Sequence, residues 1–308
     1  MTSLVRRLPE LEAIERLADN TTSAVEVIAR IEELPIHAFR FGPADATTPA
    51  LLVTGGVHGL ERIGTDVAIA FLQTVLARLE WDAVLHAALA RCRIVVVPLV
   101  NPVGMAMRRR SNGRGVDLMR NAPTNGYPGT PLVGGQRISP MLPWYMGKDD
   151  EPMEAEAAAL AALVEREVFA APLAIALDLH SGFGFIDRLW YPYARTLDPP
   201  PDRAAFDALE RVLDDTLPNH VYQVEQTSRA YQIRGDLWDY LYDRRRAVGD
   251  RPGVLLPLTL EMGSWTWVRK NPLQGLSRLG RFNPIEPHRH RRTLRRHLPL
   301  LEFLFHAA

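Results

Sequence analysis

The chain has a single cysteine, only two lysines and no surplus of either charge. Its 308 residues carry 36 basic and 36 acidic side chains, so the formal net charge is zero. A neutral chain argues against nucleic acid as the main partner, because phosphate backbones are bound by basic surfaces. Cys92 is the sole cysteine and lies in an apolar segment. It therefore excludes an intramolecular disulfide, and we expect a buried thiol.

Long apolar runs are also missing. No segment reaches the roughly 20 apolar residues that a membrane-spanning helix needs, and residues 1–20 have no apolar core of the signal-peptide kind. We therefore expect no membrane partner and a cytoplasmic location. The chain also lacks Gly-x-Gly-x-x-Gly, a phosphate loop with lysine, and Gly-x-Ser-x-Gly. Nucleotide use and serine-nucleophile chemistry are thus unsupported.

Apolar strand patterns alternate with helical patterns along the chain. We predict strands near 50–57, 93–100, 173–180 and 254–261, and helices near 61–79, 153–169 and 202–216. This alternation is typical of an α/β protein, so we expect a three-layer α/β/α fold with a mixed, mostly parallel central sheet. With 47% apolar residues, the chain can bury a large core. We predict one domain over 1–308, with a motif-bearing core at about 50–265.

A histidine and a carboxylate stand three residues apart at a glycine-rich strand exit. The run from Gly55 to Glu61 contains His58 and Glu61 at the spacing of two ligands of a catalytic zinc ion. Glycines at this turn let the backbone bend so that both side chains point at one spot. Taken alone, the pair is equally typical of a loop histidine beside a glutamate that opens a helix.

Two later apolar strands deliver further candidate residues to their carboxyl ends. One ends in His180 and the other in Glu261. Functional crevices in open α/β sheets lie outside the carboxyl ends of the strands, so His180 is expected near His58. Two histidines and one glutamate leave a fourth zinc position for water. A buried Glu261 indicates either catalysis or a salt bridge to a neighbouring arginine.

A cationic loop follows the strand at 93–100. It contains Arg108, Arg109, Arg110, Arg114 and Arg120. Arginines here could polarise a carbonyl group or hold a carboxylate with their planar fork of donors. A solvated basic loop is the alternative. The richest Pro and Gly stretch, residues 122–147, comes next, and we predict a long active-site loop there.

Together these segments resemble the zinc carboxypeptidase superfamily, whose motifs occur here in the same order. The matching segments are His58-x-x-Glu61, Asn101-Pro-x-Gly104, Arg110 to Asn121, the strand-end His180, and Thr259-x-Glu261. Tyr145-Met-Gly147 and the segment 231–235 are also similar to the family. Recognisable landmarks therefore span residues 53–264.

The resemblance implies one zinc ion, bound by His58, Glu61 and His180. It implies Glu261 as the general base and Arg110 as the group that polarises the scissile carbonyl.

Four further roles are also implied by the resemblance. Asp117 would fix the tautomer of His58, and Arg120 would grip a substrate carboxylate. Tyr231 would close over the substrate, and Trp238 falls where the family's side-chain specificity is decided.

The function that the resemblance implies is a zinc-dependent hydrolase of the metallocarboxypeptidase type, which cleaves an amide bond of a short peptide. Bacterial murein-peptide amidases are similar to the chain in compactness and in the Arg110 to Asn121 motif. Met119 departs from the family's asparagine and removes an amide donor. It keeps open a zinc-dependent deacylase of N-acyl amino acids, similar to succinylglutamate desuccinylase and aspartoacylase. A non-catalytic, zinc-stabilised binding protein is a third hypothesis, which requires the base or the water position to be lost.

The C-terminal region is strongly basic over 288–296 and apolar over 298–305. It predicts a helix at about 286–306. One interpretation is a helix that meets an anionic surface or a partner. The other is a terminal helix with one solvated basic face.

Overall fold

The structure is a computed structural model that describes residues 8–21, 23–123, 129–249 and 253–308. The strands are β1 Ala24–Ile31, β2 Leu34–Phe41, β3 Ala50–Gly55, β4 Arg93–Val97, β5 Leu173–Ser181, β6 Arg188–Tyr191, β7 Gln223–Gln226 and β8 Val254–Met262. The helices are α1 Pro9–Asp19, α2 Arg62–Leu79, α3 Ala83–Leu89, α4 Pro102–Ala106, α5 Ala155–Val168, α6 Arg203–Thr216, α7 Leu237–Ala247, α8 Trp265–Lys270 and α9 Pro287–Ala307.

All eight strands form one sheet in the order β1-β2-β4-β3-β5-β8-β6-β7. The four central strands β4, β3, β5 and β8 run parallel to one another. The pairs β1/β2, β2/β4 and β6/β8 are antiparallel, and β7 runs parallel to β6. The sheet is therefore mixed and mostly parallel, as predicted.

Alternate side chains of the central strands face two separate apolar cores. Leu51 and Val53 contribute to one core, whereas Leu52 contributes to the other. Helices α2 and α9 pack on the first side of the sheet, and α5 and α7 pack on the second. This arrangement confirms the three-layer α/β/α fold. Among the described residues, no helix has the length and apolar character needed to cross a bilayer.

The four predicted strands and the predicted helices are all present, including α9 in the C-terminal region. The hairpin of β1 and β2 was not predicted, for two physical reasons. Strand β1 lies at the sheet edge and is partly exposed along its whole length. Its turn consists of Glu32 and Glu33, both at positive φ. Such turns usually carry Asn-Gly or Asp-Gly, so this one gives no sequence signal.

The long loop predicted over 122–147 is described in two parts. Residues 122–123 and 129–147 contain one isolated bridge, between Gln136 and Tyr145, and no other strand or helix. Residues 124–128 of this loop lie outside the described residues, as do residues 1–7.

The parallel core brings three carboxyl ends together at one edge of the sheet. Strand β3 pairs with β5, and β5 pairs with β8 in a register that places His180 beside Glu261. The backbone pairing of the strands alone therefore places His180 and Glu261, which are far apart in the chain, side by side.

Helix α2, which follows Glu61, begins in close contact with the strand that carries His180. A Cβ atom added at Gly64 would lie 2.4 Å from the carbonyl oxygen of Leu179. Only glycine allows this approach without movement of the helix or the strand. The distance between the segment that carries His58 and Glu61 and the strand that carries His180 therefore depends on Gly64.

We predict that Gly64→Ala destabilises the protein by about 1–3 kcal/mol, because the added methyl group overpacks a rigid contact. Denaturant unfolding measures the change. Gly249→Ala is the matched control, since no atom of the described residues lies within 4 Å of a Cβ atom at that position. Equal stability of the two variants would contradict the account.

Candidate active site

The loop that carries His58 and Glu61 rests on the turn formed by the Asn-Pro-x-Gly motif. After β3 the chain turns at Gly56, which has a positive φ of 65°. A Cβ atom at Gly59 would lie 2.2 Å from the carbonyl carbon of Gly104, so the two backbones touch. Asn101 donates from Nδ2 to the carbonyl of Val57 at 3.1 Å, and its Oδ1 accepts from the N–H of Gly104 at 2.8 Å. This asparagine therefore holds the loop and the turn together.

His58, Glu61 and His180 meet in a buried cluster. Their candidate ligand atoms all lie within 4.8 Å of one another. Nδ1 of His58 is 2.9 Å from Oε1 of Glu61, and Nδ1 of His180 is 3.0 Å from Oε2. The two Nδ1 atoms are 3.1 Å apart. The structure thus brings together the three residues that the resemblance assigns to the metal.

The other ring nitrogen of each histidine faces a carboxylate. Nε2 of His58 donates to Oδ1 of Asp117 at 3.1 Å, and Nε2 of His180 donates to Oδ2 of Asp178 at 2.7 Å. Because carboxylates only accept, the protons belong on Nε2, and neutral rings present lone pairs at Nδ1. Two nitrogen lone pairs and a carboxylate then converge, which is a donor set that fits one zinc ion.

Asp178 was not singled out from the sequence, yet it organises the second histidine. Burial disfavours its charge, but the neighbouring His180 lowers the pKa of Asp178 below its ordinary value. Oδ1 accepts from Oγ1 of Thr54 at 2.7 Å, and Oδ2 also accepts from Nε1 of Trp238 at 2.9 Å. A signal was available: a carboxylate in an apolar strand, two positions before His180, points to the same face and needs partners.

Asp117 joins His58 to two arginines. Its Oδ2 accepts from Nε of Arg110 at 2.9 Å and from Nη1 of Arg120 at 3.1 Å. Burial opposes its ionisation, but the charges of the two arginines hold the pKa of Asp117 well below its usual range. Nη1 of Arg110 also donates to Oε1 of Glu61 at 3.1 Å. Asp117 is therefore an ionised link between a ligand histidine and both predicted cationic residues.

Glu261 lies at the end of β8, next to His180 on β5. Only 7% of the residue is exposed, and its Oε1 accepts from the backbone N–H of Phe183 at 3.0 Å. Burial, reinforced by the charge of Glu61, raises the pKa of the Glu261 carboxyl well above its ordinary value. The structure provides no ion pair that would favour the salt-bridge interpretation of this residue among the described parts of the chain.

Arg120 and Tyr231 approach the same space from different loops. Arg120 is buried and donates from Nε and Nη2 to the carbonyl of Val133, at 3.1 and 2.9 Å. Val133 belongs to the long active-site loop predicted over 122–147. Tyr231 is half-buried, and its ring packs against Phe183 and Trp190 with centroids 5.8 and 5.9 Å apart.

These residues line one cavity of about 950 Å³. The predicted site residues in its wall are His58, Arg110, Asp117, Arg120, His180, Tyr231, Trp238 and Glu261. Glu61 lies behind the wall, against both histidines. The indole N–H of Trp238 donates to Asp178 and cannot also bind a substrate. Only the ring of Trp238 could influence substrate choice, and its role in side-chain specificity stays a prediction.

Comparison with known proteins gives one family. A family model described as zinc carboxypeptidase matches residues 10–264. Carboxypeptidase A1 of Rattus norvegicus is 23% identical over 235 residues, which cover 72% of this chain and 54% of the relative. Carboxypeptidase A4 of Mus musculus is 22% identical over 248 residues, which cover 76% of this chain and 57% of the relative. The chain thus spans about half the length of the curated relatives it matches.

Solved structures share the fold. Bovine thrombin-activatable fibrinolysis inhibitor, in complex with tick carboxypeptidase inhibitor, superposes with a TM-score of 0.62. The match covers 96% of this chain and 97% of the bovine chain at 18% identity. At that identity the likeness concerns the fold alone.

We predict that Trp238→Phe lowers zinc affinity by about 10-fold, the lower end of the effect of losing a direct partner of a metal-binding histidine, because Trp238 acts on His180 through Asp178. A smaller aromatic ring remains, while the N–H donor to Asp178 is lost. Competition against a chelator measures the affinity. Trp81→Phe is the matched control, since Trp81 is 74% exposed. An unchanged affinity in Trp238→Phe would mean that Thr54 alone suffices to hold Asp178.

Proposed function

The chain belongs to the zinc carboxypeptidase family, and on that premise we propose a zinc-dependent hydrolase that cleaves an amide bond of a short peptide, with Glu261 as general base. The observation that carries this proposal is the position of Glu261. It lies beside His180 at the sheet edge, in the wall of the same cavity as both ligand histidines.

The ligand set supports the metal part of the proposal. His58, Glu61 and His180 would hold the ion, which would supply Lewis-acid polarisation of the substrate carbonyl and acidification of a water molecule. By accepting from Nε2, Asp117 and Asp178 orient both rings so that the two Nδ1 atoms face the ion site. Against the effect of burial, the Asp178 carboxylate raises the pKa of His180, which makes its imidazole a more basic ligand.

Glu261 is suited to move one proton. It takes the proton that the attacking water loses and returns it to the leaving nitrogen as the C–N bond breaks. Its backbone partner, the N–H of Phe183, occupies one carboxylate oxygen and leaves the other for the proton. Burial and the negative charge of Glu61 both raise the pKa of Glu261. A cation held by Glu61 would cancel the effect of that negative charge and would leave the effect of burial.

Arg110 is suited to hold the oxygen on which negative charge develops. Two of its N–H groups are fixed by Asp117 and Glu61. Among the described residues, none accepts from its Nη2, and 23% of the side chain is exposed, in the cavity wall. A fixed donor of this kind needs no reorganisation during the reaction, which is the usual source of large electrostatic effects in catalysis.

Recognition of a terminal carboxylate would fall to Arg120. Its bonds to Asp117 and Val133 use three of its five N–H donors. The Tyr231 side chain is a further hydrogen-bond partner of Arg120, so a substrate carboxylate would share the remaining donors with it. Met119 beside it supplies no polar donor and also lines the cavity. That missing donor keeps open the second candidate, a deacylase of N-acyl amino acids.

A mixed substrate pool separates these functions. The zinc-loaded protein would be incubated with free-carboxyl, C-terminally amidated, murein-derived and N-acylated compounds, and the products identified by mass spectrometry. We expect loss of the C-terminal residue from free-carboxyl peptides and no cleavage of the amidated ones. Cleavage confined to N-acyl amino acids would establish the deacylase instead. Bound zinc without turnover of any compound would favour a binding protein.

We predict that Glu261→Gln binds zinc stoichiometrically and loses about 100- to 10,000-fold in turnover, because an amide cannot shuttle the proton. Metal analysis and single-substrate kinetics give the two quantities. Glu302→Gln, at an exposed glutamate paired with Arg78, is the control for a neutralised carboxylate. Near wild-type turnover of Glu261→Gln would show that another group is the base.

A further inference from the structure

A second cavity lies beside the basic half of α9, outside the candidate active site. It has a volume of about 340 Å³. Its walls come from four places in the fold: the loop 185–187 after β5, Val221 before β7, the segment 263–270 after β8, and the first half of α9. This volume is at the lower end of those that hold small molecules.

Positive charge converges on this cavity from two elements. Arg289, Arg292 and Arg296 are spaced three and four residues apart on α9, so they share one face of the helix. Lys270, at the end of α8, adds a cation from a second element of the wall. The chain as a whole is neutral, so this concentration of cations is local.

The cavity contains little negative charge to balance these residues. Asp187 is the carboxylate in its wall. It already accepts from Nη1 of Arg296 at 2.8 Å and from the N–H of Gly263 at 2.9 Å. Among the residues that the structure describes, no carboxylate is within ion-pair distance of Lys270, Arg289 or Arg292. Three cations thus face one small space without a counter-ion of the protein.

We propose that this cavity binds a small oxyanion with two or more negative charges, and that a phosphate group is the chemistry that fits. Arginine forks match the geometry of phosphate oxygens, and lysine adds a point charge. The cations surround a concavity instead of lying on a flat face. This shape suits a small anion better than an extended polyanion. The proposal does not depend on peptide hydrolysis.

The walls of the two cavities are continuous. Trp265 lines the catalytic cavity, whereas the next residue, Thr266, lines the basic one. The indole N–H of Trp265 donates to the carbonyl of Gly182 at 2.9 Å, and Oγ1 of Thr266 donates to the carbonyl of Phe185.

The test is titration of the zinc-loaded protein with inorganic phosphate, in a calorimeter, at an ionic strength kept constant with chloride. Arg292→Gln and Lys270→Gln remove a cation from each wall. Arg295→Gln removes the same charge from the same helix, at a residue outside the cavity wall. We expect about ten-fold or greater weakening in the first two variants, because hydrogen bonds to charged groups are the strong ones. The control should change by no more than about two-fold.

Three results would overturn the proposal. One is no phosphate binding, and another is equal weakening in all three variants, which would indicate general surface charge. The third is binding unchanged by every substitution, which would place phosphate at the metal or at Arg110. Repeating the titration with glycerol 3-phosphate shows whether the bound phosphate group belongs to free phosphate or to a phosphate ester. Tighter binding of the ester indicates a phosphorylated metabolite, and equal or weaker binding indicates free phosphate; both support the site.

Discussion

Three buried side chains direct lone pairs at one point, and the rest of the site depends on that constraint. Nδ1 of His58, Nδ1 of His180 and the carboxylate of Glu61 lie within hydrogen-bonding distance of one another. With both Nε2 protons committed to carboxylates, this cluster is repulsive unless a cation or an added proton occupies it. A divalent cation relieves the repulsion and matches the family to which the chain belongs.

The fold meets this constraint with rigid elements. The parallel register of β5 and β8 sets His180 against Glu261, and the contact of Gly64 with Leu179 sets the Glu61 helix against the same strand. Two buried carboxylates each orient one of the ligand histidines. Asp117 ties His58 to Arg110 and Arg120, whereas Asp178 ties His180 to Thr54 and Trp238. The metal ligands and the predicted oxyanion group thus belong to one hydrogen-bonded network, and the predicted base lies beside it, held by the backbone N–H of Phe183.

Much of this architecture was predictable from sequence because it depends on local pattern. The alternation of apolar strands and helices predicts the layers, and strand-end residues such as His180 and Glu261 meet at one sheet edge. The hairpin β1/β2 was missed because its turn, Glu32-Glu33, carries no turn residues. The role of Asp178 was missed because it depends on contacts with Thr54 and Trp238, which are 124 and 60 residues away in the chain. Arg120's bond to Val133 likewise depends on how a long loop folds back.

Anomalous diffraction at the zinc edge, on crystals of the zinc-loaded protein, tests the central claim most directly. The account predicts one strong peak in contact with Nδ1 of His58, Nδ1 of His180 and the carboxylate of Glu61, with Glu261 near it but not bound. A peak elsewhere, for instance among the histidines of α9, would contradict the account. So would a peak at this cluster with either histidine bound through Nε2, because Asp117 and Asp178 could not then hold the rings as described.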